Sequence, residues 1–273
     1  MDSHRRGAAL SVASELAGDM RHILILGGTA EARQLAAELA KRRDLAITLS
    51  LAGRTAQPAV QTVPVRVGGF GGAQGLAAYL VAERIDLLVD ATHPYAAVIA
   101  ANAAEAAKRS GVPILALRRP PWSPVAGDRW IDADDIEHAV SLLGSAPRRV
   151  FLAIGRKEVR AFSSAPQHHY LIRSVDPVDP PLAVPNASYL VARGPFSEAD
   201  ERALLEKHRI EVVVAKNSGG TATYGKMAAA RALGIEVVML RRPALPSVPS
   251  VGDVKEAVAW LDHALLSGAE RGV

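Results

Sequence analysis

Three polar stretches stand directly after apolar runs in this 273-residue chain, and their residue types suit the handling of anions. Gly27-Gly28-Thr29-Ala30-Glu31 closes the run HILILGG (22–28) and opens an Ala/Leu/Glu/Arg-rich segment with helical spacing. Small residues are needed at such a junction, because a pyrophosphate must approach the backbone and meet the free N–H groups of a helix N-terminus. The usual dinucleotide fingerprint is G-x-G-x-x-G/A, and here Thr29 stands at the middle glycine. Asp90-Ala91-Thr92-His93-Pro94-Tyr95 follows a second run; Pro94 fits the first turn of a helix, where its missing N–H has no partner to lose. His93 is suited either to act as a general acid or to contact ribose or substrate. Lys216-Asn217-Ser218-Gly219-Gly220-Thr221 follows IEVVVA (210–215) and is the densest polar stretch of the second half. A lysine there neutralises a carboxylate or, partly desolvated, delivers a proton. The same amide, hydroxyls and glycines also describe an anion-binding loop with no chemical step.

Two further patterns narrow the ligands. A protein that binds NAD usually carries Asp or Glu after its second strand to hold the ribose hydroxyls. This chain has Leu51-Ala52-Gly53-Arg54-Thr55 and no acid. Arg54 and Thr55 suit a 2′-phosphate instead, so NADP is expected over NAD. Gly155-Arg156-Lys157-Glu158 and Arg193-Gly194-Pro195-Phe196 place more cations after two other apolar runs. Arg or Lys in three loops of one sheet edge points to a ligand with several carboxylates. The eight His show no metal-ligand spacing, and the adjacent His168 and His169 must point to opposite faces of a strand. No metal site is expected.

The elements that must position these loops read as an alternation. Strand-like runs at 22–28, 45–53, 62–68, 84–92 and 112–119 are interleaved with helical segments at 29–43, 72–83 and 95–110. The second half repeats the scheme, with runs at 148–155, 168–175, 187–193, 210–216 and 235–242 and helices at 197–209, 224–234 and roughly 252–266. Continuous apolar strands separated by helices indicate βαβ units and parallel sheets buried on both faces. Gly111-Val-Pro-Ile-Leu-Ala-Leu-Arg-Arg-Pro120 aligns without a gap on Gly234-Ile-Glu-Val-Val-Met-Leu-Arg-Arg-Pro243, and each is followed by a similar helix start, Asp135–Val140 against Asp253–Val258. The expected architecture is α/β, with two related Rossmann-like domains of mostly parallel sheets and a cleft between them. The expected boundaries are an N-terminal extension without order over 1–20, a coenzyme domain over 21–145 and a substrate domain over 146–273.

Composition sets outer bounds. With 49% hydrophobic and 22% charged residues the chain is an ordinary folded protein. The absence of cysteine excludes disulfides, thiolate catalysis and cysteine-held metal clusters. No apolar run reaches the roughly 18 residues of a membrane span, and the N-terminal segment is a poor signal peptide. A cytoplasmic location and no membrane partner are expected. The net charge of +4 is spread over scattered arginines without an aromatic platform, which argues against nucleic acid.

At these residues the chain resembles the precorrin-6A reductases of cobalamin (vitamin B12) biosynthesis. The resemblance runs from about Arg21 to Leu266. It rests on ILILGGTAEAR (23–33), Gly53-Arg54-Thr55, DATHPYA (90–96), GRKE (155–158) and KNSGG (216–220). It implies an NADPH-dependent oxidoreductase that transfers hydride to a CH–CH double bond of a carboxylate-rich tetrapyrrole, precorrin-6A or its cobalt-containing equivalent, giving precorrin-6B. The coenzyme is then expected at Gly27, Gly28, Thr29, Ala30, Glu31, Gly53, Arg54, Thr55, Asp90, Thr92, His93 and Pro94. The macrocycle is expected at Tyr95, Arg156, Lys157, Arg193, Asn217, Ser218, Gly219, Gly220 and Thr221, with Lys216 as proton donor and a monomer as the working species. Two alternatives share the first-domain pattern. A short-chain-type NADP reductase or epimerase requires Tyr-x-x-x-Lys, and none of the five Tyr has Lys four positions later. A non-enzymatic NADP-sensing module has no need of the polar KNSGG edge.

Overall fold

The computed structural model describes residues 20–53 and 61–269. The N-terminal extension and the pair Arg54 and Thr55 therefore lie outside the described residues. Two compact units make up the chain: Met1–Arg119 with Ala244–Val273, and Pro120–Pro243.

The first unit is a six-stranded sheet built from β1 (Arg21–Leu26), β2 (Leu45–Leu51), β3 (Val65–Val67), β4 (Leu87–Asp90), β5 (Ile114–Leu117) and β12 (Ser250–Val251). Its order is β12-β5-β4-β1-β2-β3, and every neighbouring pair is parallel. This is the doubly wound order, with β12 in the place of the sixth strand. Helices α1 (Ala30–Leu39) and α7 (Val254–Ala269) cover one face, where Leu35, Leu39, Ala257 and Leu261 pack on Ile23, Ile25, Leu115 and Leu117. Helices α2 (Gly72–Ala82) and α3 (Ala97–Ser110) cover the other, where Leu76, Leu80, Ala103 and Ala106 meet Leu24, Leu88 and Ile114. Alternate residues of each strand thus enter different cores, which is why the strands read as unbroken apolar runs.

The second unit repeats the plan. Its strands are β6 (Trp130–Ala133), β7 (Arg149–Ala153), β8 (His169–Ser174), β9 (Ala187–Val191), β10 (Val212–Lys216) and β11 (Glu236–Leu240), in the all-parallel order β6-β11-β10-β7-β8-β9. Helices α4 (Ile136–Ser141), α5 (Glu198–Lys207) and α6 (Gly225–Ala232) and a 3₁₀ turn at Glu158–Ser164 complete it.

The sequence repeat is therefore real in the topology, since β5 and β11 occupy the same position in their sheets. The expected boundary near 145/146 is not where the units divide. Each repeat ends in a strand and a helix, β6-α4 or β12-α7, and each of these pairs joins the other repeat's sheet. β6 hydrogen-bonds to β11 of the second unit, and β12 to β5 of the first. Sequence alignment matched the equivalent segments but carries no information on which sheet each one extends.

Candidate active site

In a parallel sheet every strand ends at the same edge, and ligands bind there, where strand order reverses. In the first unit the reversal lies between β1 and β4. Gly28 follows β1 with φ of 118°, a conformation that favours glycine, and no heavy atom stands within 4 Å of the position a Cβ would take. The backbone over Gly28 and Ala30 is exposed, while Thr29 is buried. The Thr29 hydroxyl accepts from the Ala32 N–H at 3.1 Å, capping α1, and donates to the Ala91 carbonyl at 2.9 Å, tying the turn to the end of β4. Glu31, in the first turn of α1, pairs with Arg119 at 2.5 Å.

The β4 edge is ordered by its own side chains. Asp90 is buried and its Oδ1 accepts from the Thr92 N–H at 3.2 Å and the Thr92 hydroxyl at 2.6 Å. His93 Nδ1 accepts from the Tyr95 N–H at 3.3 Å, and the two rings lie 5.7 Å apart. Pro94 is buried just before α3. Gly53, at φ of 68°, turns the chain after β2. The expected coenzyme residues that the structure describes thus share one edge of one sheet. A main-chain cradle without side chains beside a capped helix N-terminus fits a dinucleotide.

In the second unit the reversal lies between β7 and β10. Gly155 repeats the Gly28 conformation, with φ of 98°, and Glu158 stands three residues on, as Glu31 does after Gly28. Lys216, at the end of β10, donates to Glu158 Oε1 at 2.5 Å. Arg156 approaches Asp176 at 3.9 Å, and Arg156, Lys157 and Arg193 are exposed at the same edge. Arg173 forms a buried bidentate pair with Glu201, one arm at 2.8 Å, and its guanidinium lies 3.8 Å from the Phe196 ring centroid, which fixes the loop carrying Arg193.

Asn217, expected at the macrocycle, is held by the backbone of Trp122. Its Oδ1 accepts from the Trp122 N–H at 2.7 Å and its Nδ2 donates to the Trp122 carbonyl at 2.8 Å. The Trp122 indole donates to the Gly220 carbonyl at 2.8 Å, and the Lys226 ammonium sits 4.9 Å from the Trp122 ring centroid. The amide is thus a clasp on the segment that leads into the second unit, and it sets the path of Ser218, Gly219, Gly220 and Thr221. Trp122 and the pairing of Glu158 with Lys216 escaped the sequence reading. The doubled G-x-x-E spacing after β1 and β7 was the available signal for Glu158; nothing near Asn217 in sequence announced Trp122.

Two doubly wound units, one with a nucleotide-type turn and one with a cationic edge, place the chain among the Rossmann-like α/β proteins. The family model described as "Precorrin-6x reductase CbiJ/CobK" matches residues 22–262. A precorrin-6A reductase of Sinorhizobium sp is 59% identical over 241 residues, 88% of this chain and 92% of that one. A precorrin-6A reductase of Rhodococcus erythropolis is 51% identical, over 89% of this chain and 98% of its own. A solved structure described as CobK precorrin-6A reductase superposes with a TM-score of 0.86 at 46% identity, covering 89% of this chain and 97% of that one. The chain belongs to the precorrin-6x reductase family. It is an oxidoreductase of cobalamin biosynthesis that acts on a CH–CH double bond.

Proposed function

We propose that the chain reduces metal-free precorrin-6A to precorrin-6B with NADPH, binding the coenzyme on the first unit and the macrocycle on the second. The metal-free substrate is favoured by the names of both close relatives, neither of which is described as cobalt-specific. Gly27, Gly28, Thr29 and Ala30 present backbone N–H groups to the pyrophosphate, and Thr29 holds that turn against β4. Arg54 and Thr55, which follow β2 where an NAD protein carries an acid, take the 2′-phosphate. Thr92 and His93 flank the nicotinamide half. When bound, NADPH supplies the hydride, so the protein's own part is orientation, charge complementarity and one proton.

Lys216 is the group proposed to deliver that proton to the second carbon of the double bond, with Glu158 fixing its ammonium. Arg156, Lys157 and Arg193 face the acetate and propionate carboxylates, and the loop Ser218–Thr221 offers backbone donors. The observation that carries the reading is that the glycine turn of the first unit and the cationic turn of the second both leave their sheets at the reversal of strand order, where open α/β sheets bind ligands. Mixing the purified chain with NADPH and precorrin-6A should consume coenzyme absorbance in step with macrocycle reduction. Arg54→Ala should weaken NADPH and leave NADH nearly unchanged; equal weakening of both coenzymes would remove the 2′-phosphate assignment.

A further inference from the structure

The two Arg-Arg-Pro segments that end β5 and β11 hold four arginines in equivalent positions, and three of them have protein partners. Arg119 pairs with Glu31. Arg241 pairs with Asp132 and Asp134. Arg242 donates to the carbonyls of Asn217 at 2.8 Å and Pro120 at 3.2 Å. Arg118 continues the ladder through its backbone, donating to the Val251 carbonyl at 2.8 Å, yet its side-chain Nε is buried with no acceptor among the described residues.

The repeat explains how this arises. The strand registers pair Met239 with Asp132 in the second unit and Ala116 with Ser250 in the first. The positions that give Arg241 its two carboxylates are therefore filled by Ser250 and Gly252 beside Arg118. Strand alternation turns Arg118 to the face covered by α3, since Leu115 and Leu117 enter the α1/α7 core. The register Asp90↔Ala116 places Thr92 opposite Arg118 at the sheet edge. Asp90 is the carboxylate nearest along that strand, and its Oδ1 is already held by Thr92. A desolvated guanidinium nitrogen with no acceptor is costly, and an oxyanion is the partner its planar fork fits.

We infer that Arg118 is a substrate-anchoring residue that binds one peripheral carboxylate of the tetrapyrrole at the Thr92–His93 edge of the first unit. The assignment rests on the proposed function. β5 lies two strands from β1, about 10 Å across the sheet, which separates Arg118 from the turn proposed for the pyrophosphate.

Arg118→Met and Arg118→Lys in the full chain test it through three readings: NADPH affinity without macrocycle, steady-state kinetics with precorrin-6A, and thermal melting without ligands. Arg118→Met should raise the KM for precorrin-6A about tenfold or more, as expected for loss of one charge-assisted pair. Its NADPH affinity should stay within about twofold of wild type, and its melting temperature should not fall, because the unpaired nitrogen has gone. Arg118→Lys should recover part of the KM change through charge alone. A parallel loss of NADPH affinity would transfer the oxyanion to the coenzyme and overturn the inference. Lowered melting would make Arg118 structural, and unchanged kinetics would leave it no ligand; either result also overturns it. Wild-type protein that binds no NADPH would instead defeat the proposed function itself.

Discussion

Replacing Thr29 with valine keeps the side-chain volume and removes one hydroxyl. That hydroxyl makes two bonds in a buried setting, accepting from Ala32 N–H at 3.1 Å and donating to the Ala91 carbonyl at 2.9 Å. Losing the helix cap costs about 1 kcal/mol. Leaving the Ala91 carbonyl without its donor costs about 1 kcal/mol more. A total near 2 kcal/mol lowers the melting temperature of a unit this size by roughly 4–8 °C. Calorimetry on wild type, Thr29→Val and Thr29→Ser measures it directly, because serine retains both bonds and should melt close to wild type. NADPH affinity should fall in the valine variant as well, since the turn that presents the backbone N–H groups is no longer tied to β4. A valine variant melting within about 1 °C of wild type would refute the reasoning, as would a serine variant that melts as low as valine.

Lys216→Ala should lower kcat about a hundredfold, the scale of a lost general acid, while NADPH affinity stays near wild type; an unchanged kcat would remove Lys216 from the chemical step. Asn217→Asp keeps the acceptor for the Trp122 N–H and faces the Trp122 carbonyl with a carboxylate oxygen, so it should destabilise the second unit by about 1–3 kcal/mol in urea unfolding. An Asn217 that only touched substrate would show no such loss. Burial of His168 holds its pKa below the ordinary value. The unfolded chain then binds a proton that the folded chain resists, so stability should fall as pH drops below about 6.5. His168→Asn, which keeps an acceptor for the Arg148 N–H, should flatten that part of the stability–pH curve.

The sheets were legible because strands buried on both faces leave unbroken apolar runs, as at Ile23–Leu26 and Val212–Ala215. Two of the four edge strands, β6 and β12, left no such mark. β12 is two residues long, and β6 carries an exposed Ile131 and Asp132 beside a buried Ala133. Turn residues such as Gly28 and Lys216 could be read because a parallel sheet sends every strand end to one edge. Their partners could not: Glu158 lies 58 residues from Lys216 and Trp122 95 from Asn217, separations at which local patterns are silent. The exchange of β6 and β12 was hidden for the same reason, since a repeat in sequence is indifferent to which copy completes which sheet.

That exchange inverts the order in which a ribosome can finish the two units. The segment that begins emerging second, Pro120–Pro243, has all its strands once Pro243 is out. The unit that starts first must wait with Leu35, Leu39 and Leu117 uncovered until Val254, Ala257 and Leu261, which follow the whole of the other unit, have been made. Removing α7 therefore damages the lobe built around β1, far away in sequence, and leaves the middle lobe's strands intact.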